Sequence, residues 1–207
     1  MKKRMILLFM VSILALSMSV SSFAANNTNI SVLYKEPEIQ VNIPASGGLI
    51  INPYQIPVKV EQKVQTSQIV HKPFTVINRS QIKIAVNVAV SAQIANGSKM
   101  ELLGRSVSQD RSGDKVAFLF LDKRVTDPGV DVTGLDWSTN FNSRNHLLIS
   151  EESNEREAMI SLAPADREGS VGAFHIAGNA ARYPDEPWNP SVDKVSIEII
   201  FTFRPKG

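Results

Sequence analysis

The side chains best suited to hold a metal or carry a proton are three histidines, His71, His146 and His175, and no cysteine joins them. No two are two or four residues apart, the spacings that put two imidazoles on one side of a strand or helix. A zinc site would therefore need tertiary assembly. His175, between Phe174 and Ile176, reads as a residue on the polar side of a strand. Asp127, Asp131 and Asp136 share a glycine-containing stretch and could offer oxygens to calcium, but their spacing is not that of an EF-hand. They read as a solvated loop. An activated serine is equally unsupported. The G-x-S-x-G elbow is absent, and S-x-x-K occurs at Ser80/Lys83, Ser112/Lys115 and Ser191/Lys194 without S-D-N or K-T-G. Glu151, Glu152, Glu155 and Glu157 crowd one segment instead of flanking a cleft, as a glycosidase pair must, and read as a charged turn. The residues thus predict no catalytic, cofactor or metal site, and a protein that is not an enzyme.

Two patterns point to binding. Trp137 and Trp188 fall in loop-like stretches near Asp136 and Glu186, with Tyr183 close to Trp188. Exposed aromatic rings beside polar groups suit a sugar ring, so Trp137, Tyr183 and Trp188 form a candidate glycan platform. The alternative reading is that Trp188 closes an end of the fold. The second pattern is the alternation Ile30, Val32, Tyr34, then Ile39, Val41, Ile43, after the polar run Ala25–Asn29. Such a segment can serve as a first strand, or it can pair with the edge of a neighbouring subunit through the same main-chain hydrogen bonds. These six residues form a candidate strand-donor segment.

The elements that must position these residues are strands. In 81–94, Ile82, Ile84, Val86, Val88, Val90 and Ile94 share one parity, and Lys83, Asn87, Ser91 and Gln93 share the other. That is a strand with one β-branched face. With Phe74–Ile77 and a turn at 78–80 it reads as a hairpin, and Asn96-Gly97 predicts a further hairpin turn. In Val195–Phe203 the residues Val195, Ile197, Ile199, Phe201 and Phe203 repeat the one-sided pattern, which predicts that this strand partners 81–94. In 115–125 both parities are apolar, as in a strand buried on both faces. Residues 126–145 form the longest irregular stretch, and 183–190 carry three prolines. No helix of three turns is visible after the N-terminus. About ten short strands separated by Gly, Pro and Asn turns predict a single all-β sandwich, jelly-roll-like, over residues 25–207.

Residues 1–24 read as a signal peptide. Lys2, Lys3 and Arg4 precede an apolar run to about Val20, and Ser22 and Ala24 place small side chains before a cleavage site after Ala24. Removing them leaves 183 of 207 residues, with 19 basic against 20 acidic side chains and a net charge of −1. The basic character of the whole chain thus sits in the discarded segment, and neither a nucleic acid nor a membrane surface is predicted as partner. The length suits one domain with its own core, and the lack of cysteine excludes a disulfide scaffold.

Several stretches look familiar together: IPASGGLIINPY at 43–54, FTVINRSQIKIAVNVAVSA at 74–92, KVAFLFLD at 115–122, GAFHIAGNA at 172–180 and PWNPSVDKVSIEIIFTFRP at 187–205. Over nearly the whole mature chain this resembles an uncharacterised group of small exported β-sandwich proteins of Gram-positive, clostridial-type bacteria. These motifs are structural and transfer no active site. A more distant, fold-level likeness is to TasA/camelysin-type biofilm-matrix fibre subunits, signal-bearing jelly rolls that polymerise by donating an N-terminal strand. The characteristic start of those proteins is missing here, as is a wall-sorting signal. The expectation is a secreted structural or interaction protein of the cell surface or extracellular matrix. Its partners would be other copies of itself (a homo-oligomer or fibre) or other surface proteins. The alternative is a carbohydrate-binding module, with cell-wall polysaccharide as partner.

Overall fold

The computed structural model describes residues 38–43, 47–60, 63–107, 112–132, 135–137 and 140–207. They are all-β. The strands are β1 (Val41–Asn42), β2 (Leu49–Ile51), β3 (Val58–Val60), β4 (Lys63–Gln65), β5 (Ile69–His71), β6 (Phe74–Asn78), β7 (Ile84–Ile94) and β8 (Glu101–Leu102). They continue with β9 (Ser112–Gly113), β10 (Val116–Thr126), β11 (Leu147–Ile149), β12 (Asn154–Leu162), β13 (Val171–Ala180), β14 (Tyr183–Pro184) and β15 (Val195–Pro205). The number exceeds the ten expected because short two- and three-residue pieces join the long strands. Alternation signals long strands well and cannot signal such fragments.

Two sheets carry the core. One runs β1-β6-β13-β10-β11, with β8 parallel to one end of β10; the other runs β12-β7-β15. Val76, Leu119, Leu121 and Phe174 of the first pack against Ile84, Val86, Val88, Val90, Ile160 and Leu162 of the second, all buried. The pairing of β7 with β15 predicted from their matching apolar faces is present, antiparallel from Val195↔Ile94 to Pro205↔Ile84. The strand with two apolar faces, β10, is indeed buried on both. Leu119 and Leu121 enter the central core, while Val116, Phe118 and Phe120 form a second cluster on the outer face with Val107, Phe141 and Leu148.

Three local expectations change. The segment 74–94 is not a hairpin: β6 pairs with β13 and β1, whereas β7 lies in the other sheet. Residues 78–83 are a crossing between sheets. Asn78 holds the crossing together, its Nδ2 donating to the carbonyls of Ile82 and Ala163 and its Oδ1 accepting from the Ser80 N–H. A buried amide used this way reads in sequence like any Asn-rich turn. Asn96-Gly97 does turn, with Gly97 at φ 86° and the Ser98 N–H bonded to the Ala95 carbonyl. It nevertheless leads from β7 to β8 in the other sheet, so it closes no hairpin. Finally, the charged turn is shorter than 151–157. Glu155 already lies in β12 opposite Ala89, and β12 bulges between Arg156 and Ile160.

Candidate functional site

Two places in this architecture can bind something. The first is an edge. Within the described residues β15 pairs with β7 alone. The bonds Ala95 N–H to Lys194 O and Lys206 N–H to Lys83 O define the register: even-numbered residues of β15 bond inward to β7. The N–H and C=O groups of Val195, Ile197, Ile199, Phe201 and Phe203 therefore point away from β7. Their side chains face the sandwich interior and are half-buried. Beside this edge lies a cleft of about 680 Å³, lined by Leu49, Phe74, Thr75, Ile197, Ile199 and Phe201. It lies between β15 and β6. Opposite it, among the described residues, β1 pairs with β6 at Ile77 and Asn78 only.

The candidate donor residues divide. Val41 pairs with Asn78 in the protein's own sheet, and Ile39 and Val41 pack on the central core. Ile43 is 51% exposed. Ile30, Val32 and Tyr34 lie outside the described residues.

The second place is the outer face of the larger sheet. The fold brings together His71 and His175, 104 positions apart in sequence. Their rings stack at 4.4 Å, Trp137 stacks on His175 at 4.9 Å, and the Arg124 guanidinium lies 4.5 Å over Trp137. His175 is on the face of β13 opposite Phe174, as expected, but it is not solvated; the 135–137 segment covers it and leaves it 9% exposed. Its pKa is pushed down to about 3, first by burial, then by the neighbouring His71 and Arg124, so the ring is neutral. Its Nδ1 is buried and has no hydrogen-bond partner among the described residues. His71 has both ring nitrogens engaged: Nδ1 meets the Lys72 carbonyl at 2.8 Å, and Nε2 accepts from the Ile176 N–H. That fixes a neutral ring with its proton on Nδ1. Burial lowers its pKa as well.

Farther along the same face, His146 Nε2 sits 3.3 Å from Asp122 Oδ1, with its ring stacked on Phe120. Burial lowers the pKa of His146 against the pull of Asp122. Its Nδ1 accepts from the Asn142 N–H, so the loop that covers the face is tied to the ring. Nothing in the spacing of the histidines announced either pair, since both form across strands that only the sheet order places side by side.

The three aromatic candidates do not share one environment. Trp137 is half-buried in the stack, its indole N–H donating to the Val132 carbonyl. Trp188 packs against the cluster of Met100, Ala117 and Ala180, with its N–H on the Ala181 carbonyl at 2.8 Å. Its loop is held by a buried ion pair, Lys115 Nζ to Asp193 Oδ2 at 2.8 Å. Burial alone would raise the Asp193 carboxyl; bonds from Lys115, the Asn189 N–H and Ser98 hold it below its ordinary value. Tyr183 is 61% exposed. Asp127, Asp131 and Asp136 are exposed, and among the described residues no three His, Asp or Glu side chains gather to hold a metal ion.

No family model, curated protein or solved structure matches the chain.

Proposed function

We propose that this chain is a secreted structural protein of the bacterial cell surface or extracellular matrix, and that it assembles by strand addition. The N-terminal segment of one copy, residues 25–36, would pair with the β15 edge of the next. The observation that carries this reading is the edge itself: an 11-residue strand with five outward-pointing backbone pairs beside a cleft whose lining includes Leu49, Phe74, Ile197 and Phe201. An incoming strand gains main-chain bonds from such an edge and side-chain pockets from the cleft. The alternation of Ile30, Val32 and Tyr34 supplies side chains of one parity for that cleft. The leader-like residues 1–24 support export, and cleavage after Ala24 would free the segment. The role is non-catalytic in this reading. The histidine–carboxylate pair on the outer face, His146 with Asp122, is buried beneath Phe120 and Phe141 and serves to fasten a loop.

The test is assembly of the chain that begins at Ala25. Electron microscopy should show fibres or oligomers, and deletion of 25–36 should leave a folded monomer. That monomer should bind a synthetic peptide of residues 25–36. Monodisperse full-length particles at high concentration across pH and salt would sink the proposal, as would assembly that survives the deletion.

A further inference from the structure

The pairing of β13 with β6 stops at Phe174, and among the described residues no strand continues it on that side. Two side chains take a strand's place. His71 Nε2 accepts from the Ile176 N–H at 2.6 Å. Gln68 Oε1 accepts from the Ala180 N–H at 3.4 Å, while its Nε2 donates to the Ala180 carbonyl at 3.1 Å. Both side chains belong to 68–71, the stretch that ends in β5, and among the described residues β5 pairs with β2 alone. The β2–β5 ribbon thus meets β13 through two polar clasps of different chemistry. An amide keeps its acceptor oxygen as pH changes. An imidazole that takes up a proton has two donors and no acceptor.

Protonated His71 would set one N–H against another at Ile176 and leave a buried amide without its acceptor. The surroundings do not favour the charge. His175 of β13 stacks on the ring at 4.4 Å, and Arg124 of β10 lies beyond it over Trp137. Lys63 of β4 lines the same concavity, and Lys72 follows in the chain. Of the carboxylates, Asp122 stands opposite His175 in register but is engaged with His146 at 3.3 Å and Arg124 at 3.9 Å, and Asp136 is exposed beside Trp137. β2 and β6 carry no ionisable side chain. Burial in this setting lowers the pKa of His71 below its ordinary value.

We propose that His71 is an acid-released latch: protonation frees the β2–β5 ribbon from β13 at Ile176, while Gln68 still holds it at Ala180, and so loosens one wall of the cleft beside β15. That wall is Leu49, His71 and Lys72, which line the cleft with Phe74 and Ile197. The latch itself stands on the His71–Ile176 bond; its consequence for assembly rests on strand addition as the function. A strand seated in the cleft contacts the latched wall, so seating and protonation oppose one another through linkage. The latch holds above about pH 6.5, the ordinary histidine value. Below it, release becomes easier by about tenfold per pH unit, as one proton is taken up on opening.

Amide hydrogen exchange of the chain from Ala25, at a dilution that keeps it monomeric, tests the latch. Corrected for intrinsic rates, protection of the Ile176 amide should fall about tenfold per pH unit below about pH 6.5, while the Ala180 amide, held by Gln68, stays level. His71→Gln places a non-titrating amide oxygen near the position of Nε2 and should flatten the Ile176 profile. The wild-type comparison of the two amides decides the matter even where that variant fails to fold. Equal loss at Ile176 and Ala180, a level Ile176 profile, or a slope that persists in His71→Gln would each overturn the latch. Sedimentation of the same chain tests the consequence: the assembled fraction should fall between about pH 7.5 and 5.5 in the wild type and hold in His71→Gln. Assembly indifferent to pH would overturn the link to the cleft. The expected exchange profile without assembly at any pH would support the latch and refute strand addition.

Discussion

His175 shows how one residue links burial to solution behaviour. Its folded pKa, about 3, lies below the ordinary histidine value because the ring is buried beneath Trp137 and beside His71 and Arg124. A depressed pKa means that the unfolded chain takes up a proton below pH ~6.5 while the folded chain does not. The stabilising contribution is therefore complete above that pH and is lost as pH falls toward 3, by about 1.4 kcal/mol per pH unit. His71 and His146 shift in the same direction, again with burial as the leading cause. We expect the urea midpoint to fall steadily from pH 7 to pH 4.5. In His175→Phe, which keeps a flat ring in the stack, the slope should be shallower by about one proton's worth. An unchanged slope would show that His175 is not the neutral, buried group described here.

At the scale of the element, β12 is the informative case. Its bulge puts Ala158 at φ 48°, a left-handed conformation that costs a residue with a Cβ about 1 kcal/mol. The Ala158 N–H, displaced from the ladder, is caught by Asn87 Oδ1 at 2.6 Å. The polar residue in the middle of β7's outward face thus has a local task, which the alternation pattern alone presented as mere solvation. Ala158→Gly should stabilise the protein by about 0.5–1 kcal/mol, and Asn87→Ala should destabilise it by about 1–2 kcal/mol, both read from chemical denaturation. Gly178 is the opposite constraint. It sits at φ 145°, and a Cβ there would lie 1.8 Å from the Phe118 carbonyl oxygen, so β10 and β13 could not keep their register. Gly178→Ala should lose well over the ~1 kcal/mol usual for a point substitution, measured as a drop in thermal midpoint.

For the whole molecule, the question is which edges are left open. Among the described residues the three-stranded sheet ends on β15, and its alternating backbone groups should betray that position. In the monomer, the amides of Ile197, Ile199 and Phe201 should exchange with solvent rapidly, and those of Glu198, Ile200 and Thr202, bonded to β7, slowly. On assembly the fast set should become protected while the slow set is unchanged. Uniform exchange along β15 in the monomer would contradict the register, and a fast set still unprotected in fibres would place the contact elsewhere. The same measurement on the chain lacking 25–36 separates pairing within one copy from pairing between copies.

Side-chain parity was enough to specify the all-β class, the long strands, the match of 81–94 with 195–203 and the two-sided burial of 116–121. Parity is local, so the amino-acid order carries it without help from the rest of the chain. It could not separate hairpins from crossings between sheets. The turn at 78–80 and the Asn96-Gly97 turn use the same residue types either way, and only the core decides which sheet the next strand joins. Nor could it reveal the stack of His71, His175, Trp137 and Arg124, the Asp122–His146 pair or the place of β15 at the end of its sheet among the described residues. These depend on which strands become neighbours, a choice made by burying apolar faces across the whole chain, and residues far apart in sequence meet only once that choice is made.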